Sequence, residues 1–149
     1  MSKEKHYRLL EAMYAKANCN VAYCPGIQMT VSEGKAEIVL PMREEFYHAA
    51  KAVHGFIYFK LLDEAAFFAA NSVVDDVFVL TTNFHLNLLR PITEGSMRAV
   101  GTIANASKNQ IIADAVVYND DNKAIAMGSG TFVRSQIELS SIEGYSPKL

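Results

Sequence analysis

Tryptophan is absent from the chain, and cysteine and proline are scarce, with two cysteines and four prolines among 149 residues. No stretch of about 18 apolar residues is free of charged side chains, so the sequence predicts no transmembrane helix. The mixed charges from Met1 to His6 are not those of a secretion signal. We therefore expect a cytoplasmic protein in which Cys19 and Cys24 are free thiols. Two thiols without Cys-x-x-Cys spacing do not make a zinc site, and no metal site is predicted.

A surplus of charge of either sign is also lacking. The formal net charge is −2, from 14 basic and 16 acidic residues, and no basic block occurs. Nucleic acid is therefore a poor candidate partner. Half of the residues are hydrophobic, which is normal for a globular protein, and the length suffices for one domain with its own core. We predict a single domain over 1–149.

Hydrophobic periodicity predicts the order of the elements. Leu9, Leu10 and Met13 recur at helical spacing and predict an N-terminal helix within residues 1–20. Alternating apolar residues then predict a hairpin over about 27–41, followed by an irregular loop and a helix over about 54–71. Four further strands in an antiparallel meander are predicted at about 77–90, 96–105, 111–117 and 124–134. The tail over 135–149 is predicted to be loosely structured.

One long helix with about six strands indicates an α+β fold in which an antiparallel sheet is wrapped around a central helix. In strand 77–90, Leu80 and Phe84 are predicted to share the covered face, and Thr81 to lie on the other face. Gly128 and Gly130 in the last strand are predicted to let the helix approach the sheet closely. A long curved sheet with free edges also favours dimerisation by edge pairing.

The predicted helix over 54–71 is the longest apolar helix-like run of the chain, and Asp63 lies in its middle. A charged group is costly to bury unless it is paired or used in a site. Asp63 therefore either borders a narrow solvated stripe or belongs to a site, and the pattern alone leaves both interpretations open. Lys60 and Glu64 are predicted to form a surface ion pair at i,i+4 spacing. His6 is predicted to lie on the surface.

Three fragments, in this order, carry a resemblance to a known family over roughly residues 35–134. The first is His-Gly at 54–55 with an acid nine positions after the histidine, in the run HGFIYFKLLD. The second is VLTT at 79–82, leading to LRPI at 89–92 and Gly95. The third is AMGSGTF at 126–132 in the last strand. Together they resemble the hotdog-fold thioesterases of the PaaI type.

The resemblance implies a hotdog fold, hydrolysis of acyl-CoA thioesters without metal or prosthetic group, and homodimers that pair into homotetramers. It implies that Asp63 is the catalytic acid and that the backbone N–H of Gly55 polarises the thioester carbonyl. Thr81 falls where the family has a hydroxyl residue that places the water. The residues expected to line the substrate site are His48, His54, Phe56 and Phe59. The chain departs from the family pattern at Phe56 and Lys51, where glycines are common, and at His48, where asparagine is common.

Helix geometry adds a constraint on these residues. Nine residues of α-helix give about 900° of rotation and about 13 Å of rise, so Asp63 points away from the direction of residue 54 and lies more than two turns from it. One chain cannot easily bring the Gly55 N–H and the Asp63 carboxylate to one carbonyl. We therefore predict an active site that straddles a dimer interface, with Gly55 of one chain facing Asp63 of the other.

Other functions remain open at this point. A hotdog domain that binds acyl-CoA without hydrolysing it is the first alternative, and the departures at Phe56 and Lys51 motivate it. A hydratase or dehydratase on the same fold is a weaker alternative, because the sequence shows no His-rich loop of that kind. Asp63→Asn separates the hydrolase from the binding domain.

Overall fold

The computed structural model describes residues 1–146 of the chain. The helices are α1 (Lys3–Lys16), α2 (Asn18–Tyr23) and α3 (Gly55–Asn71). The strands are β1 (Gln28–Ser32), β2 (Lys35–Pro41), β3 (Val77–Leu88), β4 (Ser96–Ala106), β5 (Ile111–Tyr118) and β6 (Ala124–Glu138). Short 3₁₀ turns occupy Glu44–Phe46 and Leu139–Ser141. The predicted long helix and the six predicted strands are therefore confirmed.

Helix α3 is the centre of the core. It begins where the His54 side chain accepts a hydrogen bond from the Phe56 N–H at 3.2 Å, which caps the helix. From Ala65 to Asn71 its side chains are all buried, because the sheet covers one side of the helix and Tyr14 of α1 packs on another. It ends at Asn71, a fully buried residue whose side-chain oxygen accepts from the Val79 N–H at 3.1 Å.

The sheet is antiparallel throughout, with strand order β1-β2-β4-β5-β6-β3. The meander prediction is correct for β4, β5 and β6 but wrong for β3, which pairs with β6 at the far edge. The physical reason is that β2 already pairs with β4 along its whole length. Strand β3 therefore reaches the free side of β6, and its own outer side is an edge of the sheet.

A bulge in β3 overturns the predicted single covered face. The register with β6 shifts between Thr81 and Asn83, and an extra residue in one strand reverses which side chains face inward. Before the bulge, Val79 is buried and Thr81 reaches α3, whereas Leu80 is 44% exposed. After the bulge, Phe84 faces α3. Leu80 and Thr81 are thus opposite to the prediction, whereas Phe84 agrees with it.

Helix and sheet come closest at Gly101 in β4, not at the predicted glycines of β6. A Cβ atom at Gly101 would lie 2.1 Å from the backbone oxygen of Ala65, so only glycine fits there. At Gly128 and Gly130 the nearest obstacles include the Phe84 ring, at 2.6 Å and 2.5 Å from an added Cβ. The absence of a side chain at these two glycines therefore makes room for the Phe84 ring of the neighbouring strand, and not for the helix.

Both ends of the described chain pack more tightly than predicted. The N-terminal helix is broken at Ala17, whose backbone is not helical, into α1 and α2. Strand β6 continues to Glu138, and Leu139 and Tyr145 are buried, so the prediction of a loose tail is wrong for 135–146. Residues 147–149 of that predicted tail lie outside the described residues.

His6 helps to hold the C-terminal segment in place through hydrogen bonds of its side chain. It is buried, contrary to the prediction, with Nδ1 at 2.6 Å from the Tyr145 hydroxyl and Nε2 at 2.9 Å from the Asn71 carbonyl oxygen. These two hydrogen bonds join α1, the end of α3 and the segment after β6. No helix within residues 1–146 has the length and apolar character needed to cross a membrane.

Candidate active site

Helix α3 and strand β3 run side by side in opposite directions, and their facing pairs define the site. An added Cβ at Gly55 would lie 3.2 Å from Leu88 Cδ1. The Phe59 and Phe84 ring centroids are 5.6 Å apart, and those of Phe67 and Phe78 are 4.8 Å apart. Between these aromatic pairs, the Asp63 carboxylate meets the Thr81 hydroxyl. The periodicities of helix and strand therefore place an acid and a hydroxyl opposite each other.

Asp63 is half-buried and accepts a hydrogen bond from Thr81, with 2.8 Å between Oγ1 and Oδ1. Burial raises the pKa of this carboxyl group, and the Thr81 hydrogen bond and the Lys60 charge oppose that shift. A carboxylate that is partly desolvated and held by one hydroxyl is suited to act as a general base or as a nucleophile. The family resemblance assigns both Asp63 and Thr81 to the site, and this contact is consistent with that expectation.

Asp63 opens onto a cavity of about 450 Å³ between α1, α3, β3 and the segment after β6. Glu64 lies beside Asp63 on the wall. The remaining wall is mostly apolar, with Met13 and Tyr14 from α1 and Phe67, Phe68 and Phe78 from the core side. The volume lies within the range of small-molecule sites, about 300–1,000 Å³.

Lys60 and Glu64 are not the predicted surface pair. Their side chains are 15% and 21% exposed, and Nζ lies 2.6 Å from the Glu64 carboxylate. The Tyr14 hydroxyl donates to the same carboxylate, and Lys60 donates to the Asn20 side-chain oxygen at 2.8 Å. Burial raises the pKa of Glu64, opposed by Lys60 and Tyr14. The prediction failed because α1 and α2 cover this face of α3.

The sequence did contain one signal for this buried network. Tyr14 lies on the apolar face of an amphipathic helix, and a buried phenol hydroxyl requires a hydrogen-bond partner. That requirement indicated a polar group on the surface that α1 covers. It did not indicate which one, because the contact spans fifty positions of sequence.

Gly55 belongs to a second cavity, of about 290 Å³, which His48, Tyr58, Leu88 and Arg90 also line. Gly55 is the first residue of α3, and the first N–H groups of a helix have no partner within it and carry the positive end of its dipole. This N–H group can therefore polarise a carbonyl group that enters the cavity.

The predicted substrate-site residues cluster near this start of the helix. His54 and His48 are exposed, with ring centroids 6.4 Å apart, and each ring accepts a backbone N–H through Nδ1. Phe56 is 45% exposed and its ring lies 5.1 Å from that of His54. Phe59 is 40% exposed, one turn further along α3. His48, His54 and Phe56 thus form one exposed polar and aromatic surface, and their role in substrate binding stays a prediction.

The structure brings Asp63 to Thr81 and Gly55 to His48, but it does not bring the two groups together. Gly55 and Asp63 are eight positions apart on one helix, which is about 12 Å along its axis. The two cavities have no wall residue in common. Within residues 1–146, no group of three or more His, Cys, Asp or Glu side chains is placed to hold a metal ion.

The sequence profile of the thioesterase superfamily matches residues 50–126, just over half of the chain. The chain belongs to the thioesterase superfamily. A Saccharolobus solfataricus protein named as a candidate esterase is 23% identical over 137 residues, which cover 91% of this chain and 98% of that protein. Membership of this superfamily supports thioester hydrolysis as the general class of reaction.

Several solved protein structures are similar to this chain over most of its length. The PaaI protein of the Escherichia coli phenylacetic acid degradation operon has a TM-score of 0.81 at 23% identity, covering 91% of this chain and 97% of that one. A thioesterase from Haemophilus influenzae has a TM-score of 0.73 at 18% identity, covering 82% and 85%. These matches confirm the predicted α+β hotdog fold of the PaaI type.

Proposed function

We propose that the protein hydrolyses acyl-CoA thioesters at sites that two copies of the chain build together. The observation that carries the proposal is Asp63, which Thr81 holds above a cavity in a member of the thioesterase superfamily. Coenzyme A is part of the substrate, and the proposal requires no further cofactor or metal. An acyl-CoA substrate also fits the expected cytoplasmic location.

The position of β3 at the edge of the sheet supports the shared site, because two copies of the chain can pair along this edge. Thr81 lies beside Asp63, and Leu88 lies beside Gly55. The midpoint of Thr81 and Leu88 along β3 falls at about Phe84. A two-fold axis there would place the Thr81 end of one β3 next to the Leu88 end of its partner, and thus Asp63 of one chain near Gly55 of the other.

Exposed apolar side chains on and near this edge also support the pairing. Phe56, Phe59 and Leu88 are each at least 40% exposed in the single chain. An unpaired twelve-residue edge strand flanked by such side chains is a surface that proteins normally cover. A homodimer formed in this way can associate further into a dimer of dimers.

The chemistry then divides between the two chains. Asp63 activates a water, oriented by Thr81, or attacks the thioester carbonyl itself. The Gly55 N–H of the other chain stabilises the oxyanion, a contribution of about 3 kcal/mol for a single donor. His48, His54, Phe56 and Phe59 line the entry for the coenzyme A part of the substrate.

The test is release of free coenzyme A from a panel of acyl-CoA thioesters by wild type and Asp63→Asn. We expect turnover by the wild type and a loss of at least a thousandfold in Asp63→Asn. Asp121→Asn, at an exposed turn, is the matched control and should keep full activity. Tight acyl-CoA binding without turnover by the wild type would instead favour the binding domain that Phe56 and Lys51 suggest.

A further inference from the structure

A carboxylate that the proposed reaction does not use lies next to the one that it does use. Glu64 follows Asp63 directly on α3, and both side chains line the same cavity. Each of two neighbouring carboxylates makes the other harder to ionise. Burial raises the pKa of Glu64, and the charge of Asp63 raises it further. An uncompensated charge on Glu64 would therefore work against an ionised Asp63.

The Glu64 carboxylate is compensated by a cation and by a hydroxyl group. Lys60 lies one turn before it on α3, with Nζ at 2.6 Å from Oε1. The Tyr14 hydroxyl of α1 donates to Oε2. Burial and the Glu64 charge raise the pKa of Tyr14, so this hydroxyl keeps its proton and remains a donor. Both oxygens of the carboxylate therefore have a hydrogen-bond donor.

Lys60 is in turn held in place by α2 and α1. The side-chain oxygen of the buried Asn20 accepts from Nζ at 2.8 Å, and the side-chain amide of Asn20 donates to the Tyr14 carbonyl oxygen at 2.8 Å. Nζ also lies 5.6 Å from the centroid of the Tyr14 ring, within the range of a cation–π contact. A lysine held by these contacts keeps its charge at a fixed place beside Glu64.

The other groups around Asp63 do not take over this role. Burial raises the pKa of Asp63, the Thr81 hydrogen bond lowers it, and the Lys60 charge lowers it as well. Strand β3 contributes the uncharged Thr81 hydroxyl. The charged or titratable side chains around Asp63 and Lys60 are Tyr14 and Lys16 from α1, Cys19 from α2, Glu64 from α3 and Glu143 from the segment after β6.

We propose that Lys60 is a positioning residue of the reaction, whose ammonium group compensates the Glu64 charge so that Asp63 carries the uncompensated negative charge on the α3 wall of the cavity. This inference rests on the proposed hydrolysis, because it takes Asp63 as the reactive carboxylate. It goes further because it gives α1 and α2, which lie outside the matched family segment 50–126, a part in keeping that carboxylate ionised.

The test is the acid limb of the kcat/KM profile, which reports the ionisation of the base in the free enzyme. Glu64→Gln leaves the Lys60 charge uncompensated, so the limb should move to lower pH by about half a unit or more. Lys60→Met leaves the Glu64 carboxylate without its cation, so the limb should move to higher pH by a similar amount. The double variant removes both charges and should return the limb close to its wild-type position.

Lys3→Met is the matched control, because it removes the cation of an exposed ion pair with Glu33 and should leave the limb unchanged. A disturbed fold alone would lower activity without moving the limb in opposite directions. If Lys60→Met does not fold, the shift in Glu64→Gln and its reversal in the double variant still test the inference. Unchanged limbs, equal shifts in one direction, or a double variant that keeps the Glu64→Gln shift would overturn it.

Failure of the proposed function has a different signature. If the wild type hydrolyses no thioester at any pH, the ionisation of Asp63 is measured directly by NMR titration of its ¹³C-labelled carboxyl carbon. The signal is assigned by its absence from Asp63→Asn. Opposite shifts in the two single variants, with reversal in the double variant, would support the role of Lys60 without the reaction. Identical titration of Asp63 in the wild type and all three variants would overturn that role.

Discussion

Thr81 donates its hydroxyl hydrogen bond to Asp63 across the gap between β3 and α3, with 2.8 Å between Oγ1 and Oδ1. A bulge follows Thr81 in β3. Without the change of phase at the bulge, Thr81 and Phe84 could not both face the helix. The irregularity in β3 therefore places a polar group and an aromatic ring on the same covered face.

The Thr81 hydroxyl is expected to tune the pH dependence of hydrolysis. Its hydrogen bond favours the ionised form of Asp63 and opposes the rise in pKa that burial causes. Thr81→Val removes the donor with little change in shape, so the pKa of Asp63 should rise further and the acid limb of the kcat/KM profile should move to higher pH. Thr81→Ser retains a donor and should keep the wild-type limb. An unchanged limb in Thr81→Val would show that the hydroxyl does not act on Asp63.

Asp63 should also lower the stability of the protein at neutral pH. Burial raises its pKa, so its contribution to stability is fully present below the ordinary pKa of about 3.9 and is lost as the pH rises through the raised value. Asp63→Asn removes the buried charge and should raise the free energy of unfolding at pH 7 by about 1 kcal/mol. In urea titrations this gain should vanish near pH 3. A gain that persists at pH 3 would contradict the argument.

The contrast between α3 and its surroundings shows what the sequence could predict. The helix over 54–71 was predictable because its spacing, its His54 cap and the turn after it are local features. The pairing of β3 with β6, the cover of Lys60 and Glu64 by α1, and the burial of His6 each join distant parts of the chain. The hydrophobic periodicity of a segment does not indicate which distant segment packs against it. The pattern singled out Asp63 but left its role open, and it placed Thr81 on the uncovered face, so only the family resemblance assigned both residues to one site.

The Lys60–Glu64 pair should contribute strongly to stability because α1 and α2 cover it. Lys60→Met would leave the Glu64 carboxylate largely buried beside Tyr14 without a cation, and removal of one partner of a buried ion pair costs about 3 kcal/mol or more. Lys5→Met, at an exposed position of α1, should change stability by less than about 0.5 kcal/mol. Chemical denaturation of both variants measures the difference. Equal effects would show that the buried pair is not required.

Lys51 adopts a backbone conformation that favours glycine, with φ at 67°. The family commonly has glycine at this position, and the left-handed conformation costs a side-chain-bearing residue about 1 kcal/mol. Lys51→Gly should therefore be more stable than Lys51→Ala by about that amount, although glycine normally destabilises relative to alanine. Urea unfolding of the two variants provides the comparison. A less stable glycine variant would contradict this reading of the loop.

Gly55 allows the oxyanion donor to be removed without loss of the helix. It is the first residue of α3, where proline is well tolerated, and the preceding His54 is already extended, as a residue before proline must be. Gly55→Pro removes the N–H group and should lower kcat by a hundredfold or more. Gly55→Ala is the control, because it adds a Cβ atom as proline does but keeps the N–H group. The added Cβ meets only the flexible end of the Leu88 side chain, so this variant should retain most activity.

Mixing two inactive variants then decides whether the site is shared. In a dimer of Gly55→Pro with Asp63→Asn, one site receives both substitutions and the other receives none. Random exchange makes about half of the dimers mixed, so about a quarter of wild-type activity should return after the subunits are dissociated and reassociated. A site contained within one chain has no intact copy in any such mixture. Recovery of activity therefore requires that Gly55 and Asp63 act from different subunits, and a mixture that stays inactive despite verified exchange would exclude the shared site.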